Sequence, residues 1–278
     1  MLNILENYDL KKLGRWSPET NNLLIESMKR AYADRARYLG DPDFVTIPDH
    51  LTSKEYAKKL AATIDPAKAT PSEKIAPEIA IDQGGDNTTH FSIVDRDGMA
   101  VSNTYTLENS YGNRVVVPGA GYILNNEMTD FNHKPGVTTR GGLIGTKANL
   151  IEPGKRMLSS MTPVIVQRDG KTVLVTGSPG GRTIINTVLC VVVNVIDFDM
   201  PVEEAVAAPR LHHQWFPDVA RLEGTNARPA LVAKLKEMGQ NVTMSTHQGD
   251  AHSISIDPAT GIRVAAADKR LDGKAVGE

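Results

Sequence analysis

The chain has 278 residues, enough for one large domain or two small ones with a sizeable core. Its composition, 40% hydrophobic and 23% charged, is that of an ordinary globular protein, and a net charge of -2 with no basic block argues against a nucleic-acid surface. No apolar run approaches the roughly 18 residues of a membrane span; Met1-Leu2-Asn3-Ile4-Leu5-Glu6 lacks the basic start and apolar core of a signal peptide. One cysteine, Cys190, excludes an intrachain disulfide and a multi-cysteine metal site. It sits in the apolar run Val188 to Val193, where a thiol is buried and inert, so redox chemistry does not fix the compartment.

The first elements are helical. Ser17-Pro18-Glu19 supplies an N-cap serine and a proline at the first helical position, and Leu23, Leu24, Met28, Ala31 and Tyr32 follow as an apolar stripe that Gly40-Asp41-Pro42 ends. A second helix is predicted over Ser53 to Ile64. Asp65 to Asp86, rich in Pro, Ala, Lys and Asp, reads as an exposed loop, where chain cleavage is sterically easy. The pattern then changes to short strands. Thr89 to Asp95 alternates, Asp95-Arg96-Asp97-Gly98 is a hairpin turn, and Ala100 to Thr106 is the partner strand. Gly119 to Leu124 and Met161 to Gln167 are further predicted strands. Arg168-Asp169-Gly170-Lys171 turns into Thr172 to Thr176. Gly180 to Asp197, Val202 to Ala208 and Pro229 to Met238 read as helices, and Ser253 to Ala267 as a last hairpin. Hairpins with helices grouped outside them predict an α+β fold of antiparallel sheet covered by helices.

The chemistry centres on Thr88, in Gly84-Gly85-Asp86-Asn87-Thr88-Thr89-His90. A threonine is a poor nucleophile until a base stands beside it; cutting the chain just before it makes its own α-amino group that base. Four polar clusters follow. Thr104-Tyr105-Thr106-Leu107-Glu108 lies on the strand that the hairpin brings beside Thr88. Glu127 and Asp130, three apart, share one side of a helical turn and can hold an ammonium group. Ser159-Ser160 precede a strand and can donate to a carboxylate. Gly180-Gly181 open a helix, where free backbone N–H groups bind a phosphate or an oxyanion; no Gly-Lys-Ser/Thr follows, so this is not a P-loop. His212-His213 have no second cluster at ligand spacing and read as packing residues. The side chain of His90 is expected on the face opposite that of Thr89. The Gly-x-Ser-x-Gly elbow of α/β-hydrolases is absent from the sequence.

The order and spacing of these clusters, with Asn3-Ile4-Leu5-Glu6-Asn7-Tyr8 and Tyr32 through Phe44 ahead of them, resemble the γ-glutamyltranspeptidases (glutathione hydrolases), which are N-terminal-nucleophile hydrolases. The resemblance covers essentially the whole chain. It implies a layered α/β/β/α sandwich, incomplete here because the family's precursor is longer and carries a signal peptide and a large N-terminal portion. It implies residues 1–87 as the end of a large-subunit region with its processing linker, and residues 88–278 as the small, catalytic subunit, paired as a heterodimer after cleavage between Asn87 and Thr88. Thr88 is then the nucleophile, and Thr106 bonds its hydroxyl. Glu108, Glu127 and Asp130 hold the donor's α-amino group, Ser159 and Ser160 its α-carboxylate, and Gly180 and Gly181 form the oxyanion hole. The implied reaction is γ-glutamyl transfer or hydrolysis on glutathione and related amides, with water or an amino-acid or peptide amine as acceptor and no cofactor or metal. An arginine that binds the donor's α-carboxylate in the family has no counterpart assigned here. The segment Pro135 to Gly142 lacks the aromatic that covers the donor in some members. Full-length bacterial members are periplasmic or secreted, but nothing in the chain fixes its compartment. Alternatives are a fragment that is inactive without a partner supplying the missing half, and a related acylase acting on β-lactam side chains.

Overall fold

Ser17 accepts a hydrogen bond from the backbone N–H of Thr20 at 3.0 Å, and helix follows from Pro18 because proline's fixed φ suits the first turn. In chain order the computed structural model has α1 (Leu2–Leu5), α2 (Leu10–Leu13), α3 (Pro18–Tyr38), α4 (Lys54–Ala61), β1 (Asp82–Gln83), β2 (Thr89–Val94), β3 (Ala100–Tyr105) and β4 (Gly142–Leu143). These are followed by β5 (Val164–Arg168), β6 (Lys171–Thr176), α5 (Ile184–Ile196), α6 (Val202–Ala207), β7 (Leu211–His212) and β8 (Ala220–Glu223). The chain closes with α7 (Pro229–Glu237), β9 (Val242–Ser245), β10 (Ser253–Ile256) and β11 (Arg263–Ala266). The structure describes residues 1–79, 82–83, 89–140, 142–224 and 228–277. They fall into two compact units. One comprises Met1–Gly85, Met128–Ser159 and Leu211–Thr246; the other comprises Asp86–Glu127, Ser160–Arg210 and His247–Glu278.

The first unit is built on α3. Leu23, Leu24, Ile25 and Met28 are fully buried, and so are the polar residues Asn22 and Glu26. Burial opposes ionisation of Glu26, but Lys29, Arg30 and the backbone N–H of Thr70 outweigh it and hold its carboxyl below the usual range. Lys29 donates to Thr70 O (2.9 Å) and Gln240 Oε1 (3.0 Å), and Gln240 donates back to Asn22 Oδ1 (2.7 Å). Charges buried this deeply are tolerated only when every group is paired. The described residues 65–79 of the Asp65–Asp86 segment are mostly exposed, as expected. Within it Ser72 is nevertheless fully buried, its N–H and hydroxyl both donating to Asp218 and its carbonyl accepting from Trp215 Nε1. Composition carries no signal for this, because the partners that bury Ser72 lie over 140 positions away. The unit's sheet, β7-β8-β9, departs from the antiparallel expectation: β8 and β9 pair in parallel, with α7 between them. His212 and His213 are buried in this unit as packing residues. His212 meets Tyr32 edge-on at 6.1 Å. His213 donates from Nε2 to Asp218 (3.2 Å) and accepts from Trp215 N–H at Nδ1 (3.1 Å). Burial pushes its pKa down to about 4 despite the Asp218 carboxylate.

The second unit holds an antiparallel sheet ordered β11-β10-β6-β5. Helices α5 and α6 pack on it through Leu174, Ile184, Val188, Val191, Val202 and Val206. Cys190 is 1% exposed. The expected helix from Gly180 begins instead as a 3₁₀ turn, Gly181–Thr183, before α5. The predicted strand Gly119–Leu124 is a turn and a ribbon end. Gly119 and Gly121 have φ of 79° and 75°, and around them Val117 N–H donates to Tyr122 O and Leu124 N–H to Val115 O.

The hairpin β2–β3 runs in the register Thr89↔Tyr105 through Val94↔Ala100, its turn closed by the Asp95 carboxylate accepting from the N–H groups of Asp97 and Met99. It docks where β5 begins, β6 ends and β10 is about to begin. Ser102 Oγ donates to Thr176 O (2.8 Å) and accepts from Val164 N–H (3.1 Å), and Ser92 Oγ donates to His252 O (2.8 Å). The face turned inward is thus polar, whereas Phe91, Ile93, Val101 and Tyr105 are exposed. His90 is the centre of the inward face and is 4% exposed. Because Ser92 spends its proton on His252 O, it accepts from His90 Nε2 (3.1 Å), leaving Nδ1 to accept from Thr104 Oγ1 (2.8 Å). This is the neutral tautomer, and burial, reinforced by nearby His252, lowers the His90 pKa to about 4. The ring lies against Gly177, where a Cβ would stand 2.0 Å from its Cε1.

Two outcomes follow from this packing. An unfolded histidine titrates near 6.5. With folded values of about 4 for His90 and His213, the unfolded chain binds more protons between those limits. Stability is therefore complete above about pH 6.5 and is lost as pH falls toward 4, by up to ~3 kcal/mol per histidine. Thermal melts should be level at neutral pH and drop steadily through this window; a flat profile would contradict neutral burial. Gly177→Ala should destabilise the protein by about 1–3 kcal/mol through overpacking. The loss should be less than additive with His90→Ala, measured by denaturant unfolding of the double-variant cycle.

Candidate active site

The open end of the β2–β3 hairpin carries the first group of predicted residues. Thr89 pairs with Tyr105, so Thr106 is the first residue past β3 at that end. Asn87 and Thr88, the predicted cleavage site and nucleophile, lie outside the described residues. Thr106 Oγ1 accepts from the backbone N–H of Glu108 at 2.8 Å. That short loop forces Glu108 to φ 70°, the left-handed region that side chains other than glycine rarely occupy. Backbone strain of this kind costs about 1–3 kcal/mol and persists where the surroundings impose it. Glu108 is nevertheless buried, at 7% exposure.

Glu127 reaches the same place from the far end of the 113–124 ribbon. Asn126 N–H donates to Leu107 O (3.1 Å), and Asn126 Oδ1 accepts from Asn109 N–H (3.1 Å), so residues 107–109 and 126 are stitched together. Burial raises the pKa of Glu127, while hydrogen bonds from the Thr106 hydroxyl and the Glu108 backbone N–H work against the rise. Its Oε1 is buried and has no hydrogen-bond partner among the described residues. An orphaned buried carboxylate oxygen costs about 1–3 kcal/mol, and an incoming cation would relieve it. Thr106, Glu108 and Glu127 are therefore brought together within the second unit.

The other candidates are placed as follows. Asp130 closes the 3₁₀ turn Glu127–Asp130, and its carbonyl accepts from Asn149 Nδ2 at 2.6 Å. Ser159 ends the first unit's middle segment and its carbonyl accepts from Arg35 Nη2, while Ser160, buried, begins the next segment of the second unit and its carbonyl accepts from Thr162 Oγ1. In the segment Pro135 to Gly142, Thr138 and Thr139 are buried and accept from the N–H groups of Gly145 and Leu143.

Gly180 and Gly181 occupy the turn between β6 and α5, with φ of 130° and 53°. Two successive residues of positive φ demand glycine. The turn is tied by Thr183, whose N–H and hydroxyl both donate to Gly180 O. The backbone N–H groups of Gly180 and Gly181 donate to no group among the described residues. Ahead of α5 the helix dipole adds partial positive charge, so the turn can receive an oxyanion.

Sequence reasoning set His90 aside because of the face it occupies. The structure makes that face the important one: His90 ties the hairpin end to Gly177, three residues before the Gly180 turn. The segment 247–252, which packs behind that turn, was also missed. Its signal would have been the glycine at 249, which carries φ 64°.

Comparison with known proteins places this arrangement. The family model described as Gamma-glutamyltranspeptidase matches residues 1–278. The chain is 48% identical over 278 residues to the glutathione hydrolase proenzyme of Escherichia coli K12, covering 100% of this chain and 48% of that protein. It is 36% identical over 281 residues to the acylase ACY 1 proenzyme of Pseudomonas sp. SE83, covering 99% of this chain and 47% of that protein. A crystal structure of a variant Helicobacter pylori gamma-glutamyltranspeptidase superimposes with a TM-score of 0.62 at 46% identity, over 66% of this chain and 100% of that one. The chain thus spans about half the length of the curated relatives it matches. Its α+β architecture, its motif order and a family match from the first residue to the last lead to one conclusion: the chain belongs to the gamma-glutamyltranspeptidase family of N-terminal-nucleophile hydrolases.

Proposed function

We propose that this chain carries the catalytic machinery for transfer or hydrolysis of γ-glutamyl groups, on glutathione or a related γ-glutamyl amide, through an acyl-enzyme on Thr88. The observation that carries this reading is the buried Glu127 carboxylate, held by Thr106 and the Glu108 backbone with one oxygen left for a cation. A donor α-ammonium group is such a cation. Glu108 and Asp130 complete the acidic environment in this reading, and Ser159 and Ser160 donate to the donor's α-carboxylate.

The reaction begins with maturation. Thr88 Oγ attacks the Asn87 carbonyl carbon, the Asn87–Thr88 amide becomes an ester, and water cleaves it. Residues 1–87 and 88–278 then become large- and small-subunit segments of one heterodimer. The freed α-amino group of Thr88, with an unperturbed pKa of about 7.7–8.0, takes the hydroxyl proton as general base near neutral pH. Thr106 orients that hydroxyl. Thr88 Oγ attacks the γ-carbonyl carbon of the donor, and the negative charge that develops on the carbonyl oxygen is received by the N–H groups of Gly180 and Gly181. Losing one such donor typically costs about 2.7–4 kcal/mol. The leaving amine takes the proton, and water or an acceptor amine releases the γ-glutamyl group. Threonine, amine and backbone amides supply each step without a cofactor. The acylase relative supports a second reading, in which the acyl group is a β-lactam side chain; the nucleophile and oxyanion turn are shared and only substrate assays separate the two.

The test is intact mass after incubation at neutral pH, beside Thr88→Ala. The expected products are residues 1–87 and 88–278, absent from the variant. Cleavage that persists in Thr88→Ala would overturn the assignment of Thr88, and an uncut wild-type chain would remove self-processing from the proposal. For the donor site, Glu127→Ala made in the Thr88→Ala background should weaken glutathione binding about tenfold or more by calorimetry, because a hydrogen bond to a charged group contributes about 1.5–3 kcal/mol. Unchanged affinity would take the α-ammonium away from Glu127.

A further inference from the structure

The Gly180–Gly181 turn does not hold its shape by itself. Behind it runs the segment Gln248–His252, anchored at almost every residue. Arg210, 1% exposed, donates from Nη1 to Gln248 O at 2.6 Å and from Nη2 to Asp268. Asp268 in turn accepts from Ala251 N–H at 2.8 Å, and burial of that carboxylate is outweighed by Arg210, which keeps its pKa below the usual range. His252 N–H reaches Gly177 O. Between these anchors, Asp250 N–H donates to Ser178 Oγ at 2.9 Å, and the Ser178 hydroxyl donates to Pro179 O at 2.6 Å.

The fit at Gly249 is tight. A Cβ there would stand 2.5 Å from Ser178 Oγ and 2.7 Å from Thr187 Oγ1, and a Cβ at Gly180 would stand 3.3 Å from Gly249 Cα. Segment and turn are in backbone contact, with the fully buried Ser178 hydroxyl joining them. A buried hydroxyl with one donor and one acceptor partner, both backbone, fixes both backbones.

We propose that Ser178 is a positioning residue: by coupling the Gly249–Asp250 backbone to Pro179, it fixes the direction of the Gly180 and Gly181 N–H groups. This rests on the reading of those groups as the oxyanion donors. A donor aimed in advance stabilises developing charge without reorganisation, so a small loss of direction lowers turnover while leaving substrate affinity unchanged.

The experiment compares wild type with Ser178→Ala by amide hydrogen exchange resolved by NMR, alongside turnover of a γ-glutamyl anilide. Ser178→Ala should raise exchange about tenfold at Asp250, whose N–H loses the Ser178 hydroxyl, and at Thr183, whose N–H is bonded to the Gly180 carbonyl and reports on the turn, leave α5 and β6 protected as in wild type, and lower kcat on the order of tenfold at unchanged KM. Ser178→Cys, which keeps a weaker acceptor, should fall between the two, and it serves as the measured variant if the alanine protein does not fold. Unchanged exchange at the turn, or exchange rising equally through α5 and β6, overturns the positioning role. The exchange measurement needs no turnover. It therefore decides Ser178 even if Thr88→Ala refutes the proposed chemistry, and unchanged kcat with a loosened turn would refute the oxyanion reading alone.

Discussion

The second unit depends on the imidazole of His90 occupying the space that a side chain at Gly177 would fill. The hairpin β2–β3 has a polar inner face, so the hydrophobic effect does not hold it down; Phe91, Ile93, Val101 and Tyr105 face the other way. What holds it is a hydrogen-bonded chain from Thr104 through His90 and Ser92 to His252 O, with Ser102 pinned between Thr176 and Val164. Such a contact is directional. It sets the hairpin's position by hydrogen-bond geometry, where an apolar contact would allow sliding.

Directionality matters because the candidate chemistry is distributed over backbone groups. Gly180 and Gly181 offer N–H groups, Glu108 offers a backbone N–H from a left-handed conformation, and Thr106 sits one residue past a strand end. The backbone N–H groups have no side-chain rotamer to aim them, and the Thr106 hydroxyl starts from a loop backbone. Each is aimed by what holds the loop: Asn126 between residues 107 and 109, Thr183 on the Gly180 carbonyl, and the segment Gln248–His252 behind the turn. The first unit handles polarity differently. Its buried Glu26, Lys29 and Arg30 lie on one helix, so their spacing is fixed before any packing occurs, and Gln240 and Thr70 complete the pairing.

Much of this was legible in the sequence. The serine caps at Ser17 and Ser53, the hairpin turns at Asp95 to Gly98 and Asp169-Gly170, and the apolar stripe of α3 stand as read, because each depends on residues within a few turns of chain. The residues of the proposed site were legible too, as ordered clusters whose resemblance to a family covered the whole chain. The readings that failed share one cause. Gly119 to Leu124 has strand composition, but two glycines of positive φ make it a turn. Within the mostly exposed residues 65–79, nothing local marks Ser72 for the burial that Trp215 and Asp218 give it. The parallel pairing of β8 and β9 has no local signature at all.

By itself, then, the sequence determined the local elements, the α+β class, the family and the identity of the candidate groups, since periodicity, capping and motif order are short-range properties of the chain. Tertiary structure decided which face of the β2–β3 hairpin turns inward, because alternation defines two faces and only the partners choose between them. It also decided that Glu127 keeps a buried oxygen open, that His90 stays neutral, and that Ser178 stands between two backbones. Burial, pKa and hydrogen-bond satisfaction are properties of the space around a side chain, and that space is filled by residues far away in sequence.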